Sequence, residues 1–408
     1  MKHAVPPAPF LKRVERGALC SGCGGCEALS GGAIVMDRSE AGFARPLQET
    51  AIDAETDRAI AAICPGLGQT VEAAGRTDDA IFGPYRAMHT GWSLAEGLRH
   101  RASSGGALSA VMVHLLRQGT VDAVVQIMAD PADPMGNVTV ISRNEDAILH
   151  AAGSRYAPSS PLAGIAPLLE STERFAFVGK PCDVAALRAL ETHDARVSQR
   201  FPVMLSFFCA GVPSRTGATG ILKALEVEER DLAAFRYRGQ GWPGRATATR
   251  HDGSEADMSY HDSWGKILSH HVQHRCKICA DGTGTAADVV CADAWKADDK
   301  GYPLFEEEDG ISLVVARTDL GADIIAGAET AGTLKLADFD MSELRGIQRG
   351  QFWRRRLLSA RLAGLRVMGK PVPRYQGLNL RAAAQTAGRR ERFKNFTGMI
   401  KRVLRGRM

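Results

Sequence analysis

Three thiols within seven residues, Cys20-Ser21-Gly22-Cys23-Gly24-Gly25-Cys26, set the strongest constraint on how this chain can fold. Side chains spaced this closely can wrap one face of a cubane iron–sulfur cluster. The glycines between them permit the positive φ that brings backbone N–H groups toward the sulfides. A cubane needs a fourth thiolate. Cys64 is the natural candidate, because Pro65 follows it and a Cys-Pro pair often closes ferredoxin-like runs. A zinc ion held by four thiolates fits the same spacing and stays open at this point.

The other cysteines are dispersed. Arg275-Cys276-Lys277-Ile278-Cys279 offers two ligands from one turn. Gly179-Lys180-Pro181-Cys182 ends one strand-like run, and Phe207-Phe208-Cys209-Ala210-Gly211 ends another. Strands that end on one edge of a parallel sheet put their loops together, so Cys182, Cys209, Cys276 and Cys279 form a second candidate set of four. The plainer reading of Cys182 or Cys209 is a small buried hydrophobe. Cys291, inside the apolar run Val289-Val290-Cys291, is expected to be a buried thiol and not a ligand. Clustered cysteines with two-residue gaps favour metal over disulfides in a reducing compartment. The first twenty residues carry Pro and charge instead of a continuous apolar segment, which predicts no signal peptide and a cytoplasmic protein. No apolar run approaches the roughly 20 residues of a membrane span.

The predicted fold class is α/β, α+β overall: a central mixed sheet with flanking helices, a small N-terminal ferredoxin-like iron–sulfur segment, and a helical basic C-terminal tail. Four stretches separate by composition, at residues 1–80, 81–170, 171–345 and 346–408. In the second, ALSAVMVHLLRQG has helical spacing and VDAVVQIM reads as a buried strand. In the third, FAFVG, FPVMLSFF and ISLVVART alternate with helical segments, which favours a largely parallel sheet covered on both faces. The fourth is charged unevenly. From Gln351 to Met408 there are sixteen Lys/Arg and one acid, Glu391, on a chain whose net charge is only +5. Such a tail reads as a docking or anchoring element or as a solvated helical face.

Arg101-Ala102-Ser103-Ser104-Gly105-Gly106 directly precedes the helix expected from Ala107. Small residues, hydroxyls and free N–H groups at a helix N-terminus make an anion site, although Ser-Ser-Gly-Gly can equally cap the helix. Lys180 could add a charge for the same phosphate. Gly239-Gln240-Gly241-Trp242-Pro243-Gly244 matches a dinucleotide fingerprint by letter, but a β-like alternation follows it, so a strand-linking loop is expected. His270 and His274 could share a helical face as metal ligands do; with four thiols nearby, surface or packing roles are expected.

In this order the motifs resemble the coenzyme F420 hydrogenase/dehydrogenase beta subunit family, which includes 7-hydroxymethyl chlorophyll a reductase and a ferredoxin-dependent divinyl chlorophyllide 8-vinyl reductase. The resemblance runs from about Cys20 to Thr318 and rests on CSGCGGC, CPG, ASSGGALSA, GSRY, GKPCDVAAL, FFCAG, YRGQGWPG, RCKICADGTGTAADV and GISLVVART. It implies FAD, with Ser103, Ser104, Gly105, Gly106, Ser154, Tyr156 and Lys180 as candidate flavin contacts. Asp281, Thr283 and Asp288 are further candidates. It also implies two separate 4Fe–4S clusters on the two cysteine sets.

The resulting expectation is an FAD- and iron–sulfur-dependent oxidoreductase that takes electrons from ferredoxin or another small carrier and reduces an organic acceptor. Two alternatives stand beside it. The chain could oxidise reduced coenzyme F420 and pass electrons outward, or it could be a non-catalytic electron-transfer subunit of a larger or membrane-associated complex. In the last case Phe396, Met399, Ile400, Val403 and Leu404 of the tail would form an interfacial helix for peripheral membrane contact. Nucleic acid is not an expected partner. No residue is assigned as catalytic; Tyr156, His261 and Asp281 are the available proton donors.

Overall fold

The computed structural model describes residues 3–294 and 309–406. At the N-terminus, helix α1 (Pro9–Arg16) leads into the first cysteine run. A two-stranded antiparallel ribbon, Ile34–Arg38 with Ala44–Gln48, and helix α2 (Ala54–Ile63) follow. The Asp53 carboxylate caps α2 through the Thr56 N–H, and the helix ends at Cys64. Gly24 shows why the run is glycine-rich. Its φ is +88°, and a Cβ there would lie 2.6 Å from the Ala163 nitrogen.

The centre of the molecule is an eight-stranded mixed sheet. Its strands in chain order are β1 (Ala87–Ser93), β2 (Ala123–Ala129), β3 (Asn137–Ser142), β4 (Phe175–Gly179), β5 (Val203–Phe207), β6 (Val289–Asp293), β7 (Ser312–Ala316) and β8 (Leu334–Asp338). Across the sheet they lie in the order β8-β1-β7-β6-β5-β4-β2-β3. The four middle strands β2, β4, β5 and β6 are parallel, and β7, β1, β8 and β3 pair antiparallel with their neighbours. Every residue of β4 and of β7 is buried, as expected for strands covered on both faces. Alternate residues divide between two apolar layers. Ala176, Val178, Val203, Leu205 and Cys291 face helices α3 (Ala107–Arg117) and α5 (Asp319–Thr330). Phe175, Phe177, Met204 and Val290 face helix α4 (Pro181–Glu191). Residues 81–170 and 171–345, expected as two halves of one domain, both contribute strands to this sheet.

The strand-linking loop expected at Gly239–Gly244 is present, between strands Leu232–Arg236 and Arg245–Arg250 of a separate three-stranded antiparallel sheet. Part of the tail is built into the body of the protein. Helices α6 (Arg349–Val367) and α7 (Arg389–Leu404) pack against the N-terminal segment. Leu358, Leu362, Leu365 and Met399 share one apolar core with Phe10, Leu11, Val14, Leu19 and Ile60. Short strand Arg374–Gln376 pairs in parallel with Gly68–Thr70. Met399 is buried and Val403 packs on the same core, so part of the apolar stripe expected at a membrane interface is occupied by the protein itself; Leu404 is exposed. No helix among the described residues is long and apolar enough to cross a membrane.

Candidate functional site

Eight thiols gather into two neighbouring groups along the edge where β4 and β5 end. In the first, Cys20, Cys23, Cys26 and Cys64 lie within electrostatic reach of one another. Burial, reinforced by the neighbouring thiols, pushes Cys23 up to about 12 and Cys64 up to about 11, and moves Cys26 well upward. The Gly22 N–H donates to the Cys20 sulfur at 3.3 Å. In the second, Cys182 neighbours Cys209 and Cys276, and Cys209 neighbours Cys276 and Cys279. Here burial, with Cys276 adding to it, pushes Cys209 up to about 12. The Val212 N–H donates to the Cys276 sulfur at 3.4 Å, and Gln273 Nε2 approaches it at 3.5 Å.

Sets of buried thiols that disfavour one another's charge need a cation to ionise them, and N–H groups directed at sulfur suit thiolates bound to one. Among the described residues, no group of three or more His, Cys, Asp or Glu side chains is arranged to hold a metal ion. Four thiols in each set match the ligand number of a cubane cluster and equally that of a zinc site. Cys291 belongs to neither set. It is buried in β6, and burial alone pushes its thiol up to about 12.

The tail closes over the second set. Gln351 Nε2 and Arg354 Nη2 both donate to the Cys209 carbonyl, at 3.0 and 3.1 Å. Arg355 Nη1 donates to the Ala280 carbonyl, Arg361 Nη1 to that of Lys277 at 2.9 Å, and the Tyr375 hydroxyl to that of Ile278 at 2.8 Å. His270 and His274 are not brought to the thiols as ligands: His274 is buried, and burial with its Lys277 and Arg275 neighbours depresses it to about 4.

Beside the second set lies a cavity of about 250 Å³. Ser103, Ser104, Gly106, Ser154, Tyr156 and Lys180 line it, and Cys209 and Cys291 form part of its wall. Helix α3 begins at this wall. Gly106, at φ +71°, stands at its N-cap position with no side chain capping it, so the first-turn N–H groups of Ala107, Leu108 and Ser109 are available at the cavity. The serine hydroxyls are engaged in shaping the loop: Ser103 Oγ accepts from the Ser154 N–H at 2.5 Å, and Ser104 Oγ donates to the Ile311 carbonyl at 2.7 Å. Gly105 lies behind the wall, where a Cβ would stand 2.7 Å from the Gly91 carbonyl.

The Lys180 ammonium is buried and paired with Asp183 Oδ2 at 2.7 Å, and also donates to Ser159 Oγ at 3.1 Å. Burial opposes its charge, but Asp183 and the nearby Cys182 and Cys209 hold it above the usual lysine range. An uncapped helix N-terminus beside a fixed ammonium suits a dianionic phosphate group.

Asp281, Thr283 and Asp288 are not at the cavity. Asp281 is buried and accepts from Thr283 N–H at 3.2 Å and from Thr285 N–H and Oγ1 at 3.1 and 2.9 Å, so its carboxylate organises its own loop. Thr283 Oγ1 donates to the Phe82 carbonyl at 3.0 Å. Asp288 is likewise engaged, by the Met204 N–H at 2.8 Å and by Arg188.

Arg238, which sequence reasoning passed over, does line the cavity. It is buried, pairs with Asp293 Oδ2 at 2.7 Å, and stands 4.6 Å from the Trp242 ring centroid and 4.7 Å from that of Tyr260. Only its place in the YRGQGWPG motif hinted at it. Tyr156 packs against Trp264, Tyr237 and Tyr260, giving this side of the cavity an aromatic wall.

Comparison with known proteins agrees with this architecture. The F420-reducing [NiFe] hydrogenase complex from Methanosarcina barkeri contains a chain that superposes with a TM-score of 0.52 at 20% identity, covering 67% of this chain and 91% of that one. The chloroplastic 7-hydroxymethyl chlorophyll a reductase of Oryza sativa subsp. japonica is 25% identical over 62% of this chain and 51% of its own length. The F420-dependent formate dehydrogenase 1 subunit beta of Methanococcus maripaludis is 25% identical over 58% of this chain and 57% of its own. The chain thus spans between half and three fifths of the length of these two relatives. It aligns with 99% of the coenzyme F420 hydrogenase subunit beta of Methanothermobacter thermautotrophicus, at 22% identity. Residues 88–166 match the family described as coenzyme F420 hydrogenase/dehydrogenase, beta subunit N-term, and residues 172–342 match the corresponding C terminus, so the chain belongs to the coenzyme F420 hydrogenase/dehydrogenase beta subunit family.

Proposed function

We propose that this chain is an iron–sulfur flavoprotein oxidoreductase that accepts single electrons from a ferredoxin-type carrier and delivers them to an organic acceptor. Cys20, Cys23, Cys26 and Cys64 would hold one 4Fe–4S cluster, Cys182, Cys209, Cys276 and Cys279 a second, and the cavity FAD. When bound, the clusters would carry electrons singly and FAD would collect them in pairs for the acceptor. The observation that carries this reading is the position of Cys209, which belongs to the second thiol group and also to the cavity wall.

The protein's own part is binding and positioning. The open first turn of α3 and the Lys180 ammonium would receive the pyrophosphate, and the aromatic wall around Tyr156 would exclude water. The Lys180–Asp183 pair ties the cavity to Cys182 at the start of α4. Gln351 and Arg354 hold the Cys209 loop closed from outside. Iron, acid-labile sulfide, zinc and flavin assays on one anaerobically purified sample test the reading. About eight irons, eight sulfides and one FAD per chain are expected from two cubanes. Zinc without sulfide or flavin would overturn it.

A second reading draws on the F420 named in several relatives: the chain would oxidise reduced deazaflavin and send electrons outward. Anaerobic mixing with reduced coenzyme F420 separates the two. Prompt bleaching of the bound flavin supports the second reading, and an unchanged flavin spectrum removes it.

A further inference from the structure

Arg275 lies between the two thiol groups and belongs to both. It immediately precedes Cys276, and its guanidinium is within electrostatic reach of Cys276, Cys279 and Cys182 of the second group. It also acts on Cys64 of the first group, where it offsets part of the upward push that burial gives that thiol. Its Nη2 donates to the carbonyl of Pro65, the residue after Cys64, at 2.7 Å. The side chain is 2% exposed, and its centre stands 5.8 Å from the Tyr375 ring centroid.

Among the described residues no carboxylate pairs with this cation, Nε and Nη1 make no well-formed hydrogen bond, and the nearest polar side chain is the Tyr375 hydroxyl. A buried charged group with two idle N–H donors is costly unless something anionic completes it. The groups around it are the Tyr375 hydroxyl and sulfurs of both sets. A buttress for the Pro65 loop alone would need only Nη2.

We propose that Arg275 is a shared positioning residue for both clusters: Nε and Nη1 donate to cluster sulfur, and the single fixed charge raises both reduction potentials and links the clusters as one relay. This rests on the two-cluster reading above. The step it serves is the transfer of one electron from the reduced cluster of one set to the oxidised cluster of the other, with no bond made and no proton moved. A cation beside each cluster stabilises the reduced, more negative state. Placed between them, it also offsets the repulsion that an electron on one cluster exerts on an electron arriving at the other.

The test is an EPR-monitored redox titration of the full, anaerobically purified chain and of Arg275→Gln, each with its iron and sulfide counted. With iron content unchanged, both cluster midpoints are expected to move to more negative potential. The expected shift is at least a tenfold change in each one-electron equilibrium, about 59 mV. Unchanged midpoints, or a shift in one cluster only, would overturn the proposal. Should Arg275→Gln fail to retain iron, Arg275→Lys keeps the charge but loses the planar fork. Its Fe–S stretching bands in resonance Raman are then expected to be shifted from wild type and to show a smaller H/D-exchange shift, and wild-type bands would overturn the proposal. A wild-type chain with only about four irons would remove the two-cluster reading itself.

Discussion

Gln351, on the helix that follows the family-matched region, donates its side-chain amide to the Cys209 carbonyl at 3.0 Å. The cation-rich C-terminus is therefore part of the cysteine site. Arg354, Arg355, Arg361 and Tyr375 reach backbone carbonyls of the same loops. A chain ending at residue 346 is expected to lose the second cluster and hold no more than about four irons, one cubane's worth, at best. Gln351→Ala alone removes one hydrogen bond and should cost about 1 kcal/mol, lowering the unfolding midpoint by a few degrees with iron intact. Full iron content in the truncated chain would refute a structural role for the tail.

The cavity and the thiol groups are separable by one methyl group. A Cβ on Gly105 would stand 2.7 Å from the Gly91 carbonyl oxygen and 2.8 Å from the Ser312 nitrogen, both backbone atoms of the central sheet. Gly105→Ala must displace the loop that starts α3, at an overpacking cost of about 1–3 kcal/mol. Neither Gly91 nor Ser312 belongs to a cysteine loop. Flavin affinity is expected to fall by about tenfold or more, the equivalent of ~1.4 kcal/mol, while iron and sulfide stay at wild-type levels. Joint loss of flavin and iron would show that the loop supports both sites.

Arg238 and Asp293 make a third test. The guanidinium is held between the Trp242 and Tyr260 rings, and its partner carboxylate is mostly buried. Removing one member of a buried pair strands the other, at about 3–5 kcal/mol. Arg238→Gln should therefore destabilise strongly, and Asp293→Asn in the same background should recover part of the loss. A chemical-denaturation cycle over the four proteins measures this coupling. Additive effects would mean that the ring contacts matter and the ion pair does not.

What the sequence discloses depends on how far apart the partners lie. Cys20, Cys23 and Cys26 announce themselves because three donors share one turn of chain. Cys182 and Cys209 could be joined to Cys276 and Cys279 because parallel strands must end on one edge, and β4 and β5 do. The Ser103–Gly106 loop was readable for the same reason: it directly precedes a strongly periodic helix. Arg275, Gln351 and Arg355 act on main-chain carbonyls of Pro65, Cys209 and Ala280. A carbonyl has no side-chain signature, so such contacts leave no spacing to recognise. Asp281 and Thr283, which do not line the cavity, show the converse. Polar residues beside a cysteine motif look available for a ligand, but buried polar groups are first required by their own loop.

On the proposed ferredoxin-linked reading, the same long-range packing offers an acidic electron carrier a surface between α1 and α6. Lys12, Arg13 and Arg16 of α1 meet Arg366 and Lys370 from the end of α6 around one shallow depression, and no acidic residue lines it. None of these five cations makes an ion pair among the described residues, and α1 runs directly into the Cys20 run. Exposed like charges steer an oppositely charged partner and lose that effect as salt rises. Neutralising Lys12, Arg13 and Arg16 together to Gln should raise the apparent KM for reduced ferredoxin about tenfold and flatten its dependence on ionic strength, as removing rim charges does. The rate with dithionite, a small reductant that needs no docking face, should not change. Deleting the chain after residue 378 is a poorer probe, because it also strips Met399 from the core shared with Leu362 and Leu365. Equal KM values and equal salt slopes for the triple variant and wild type would place the carrier on another face.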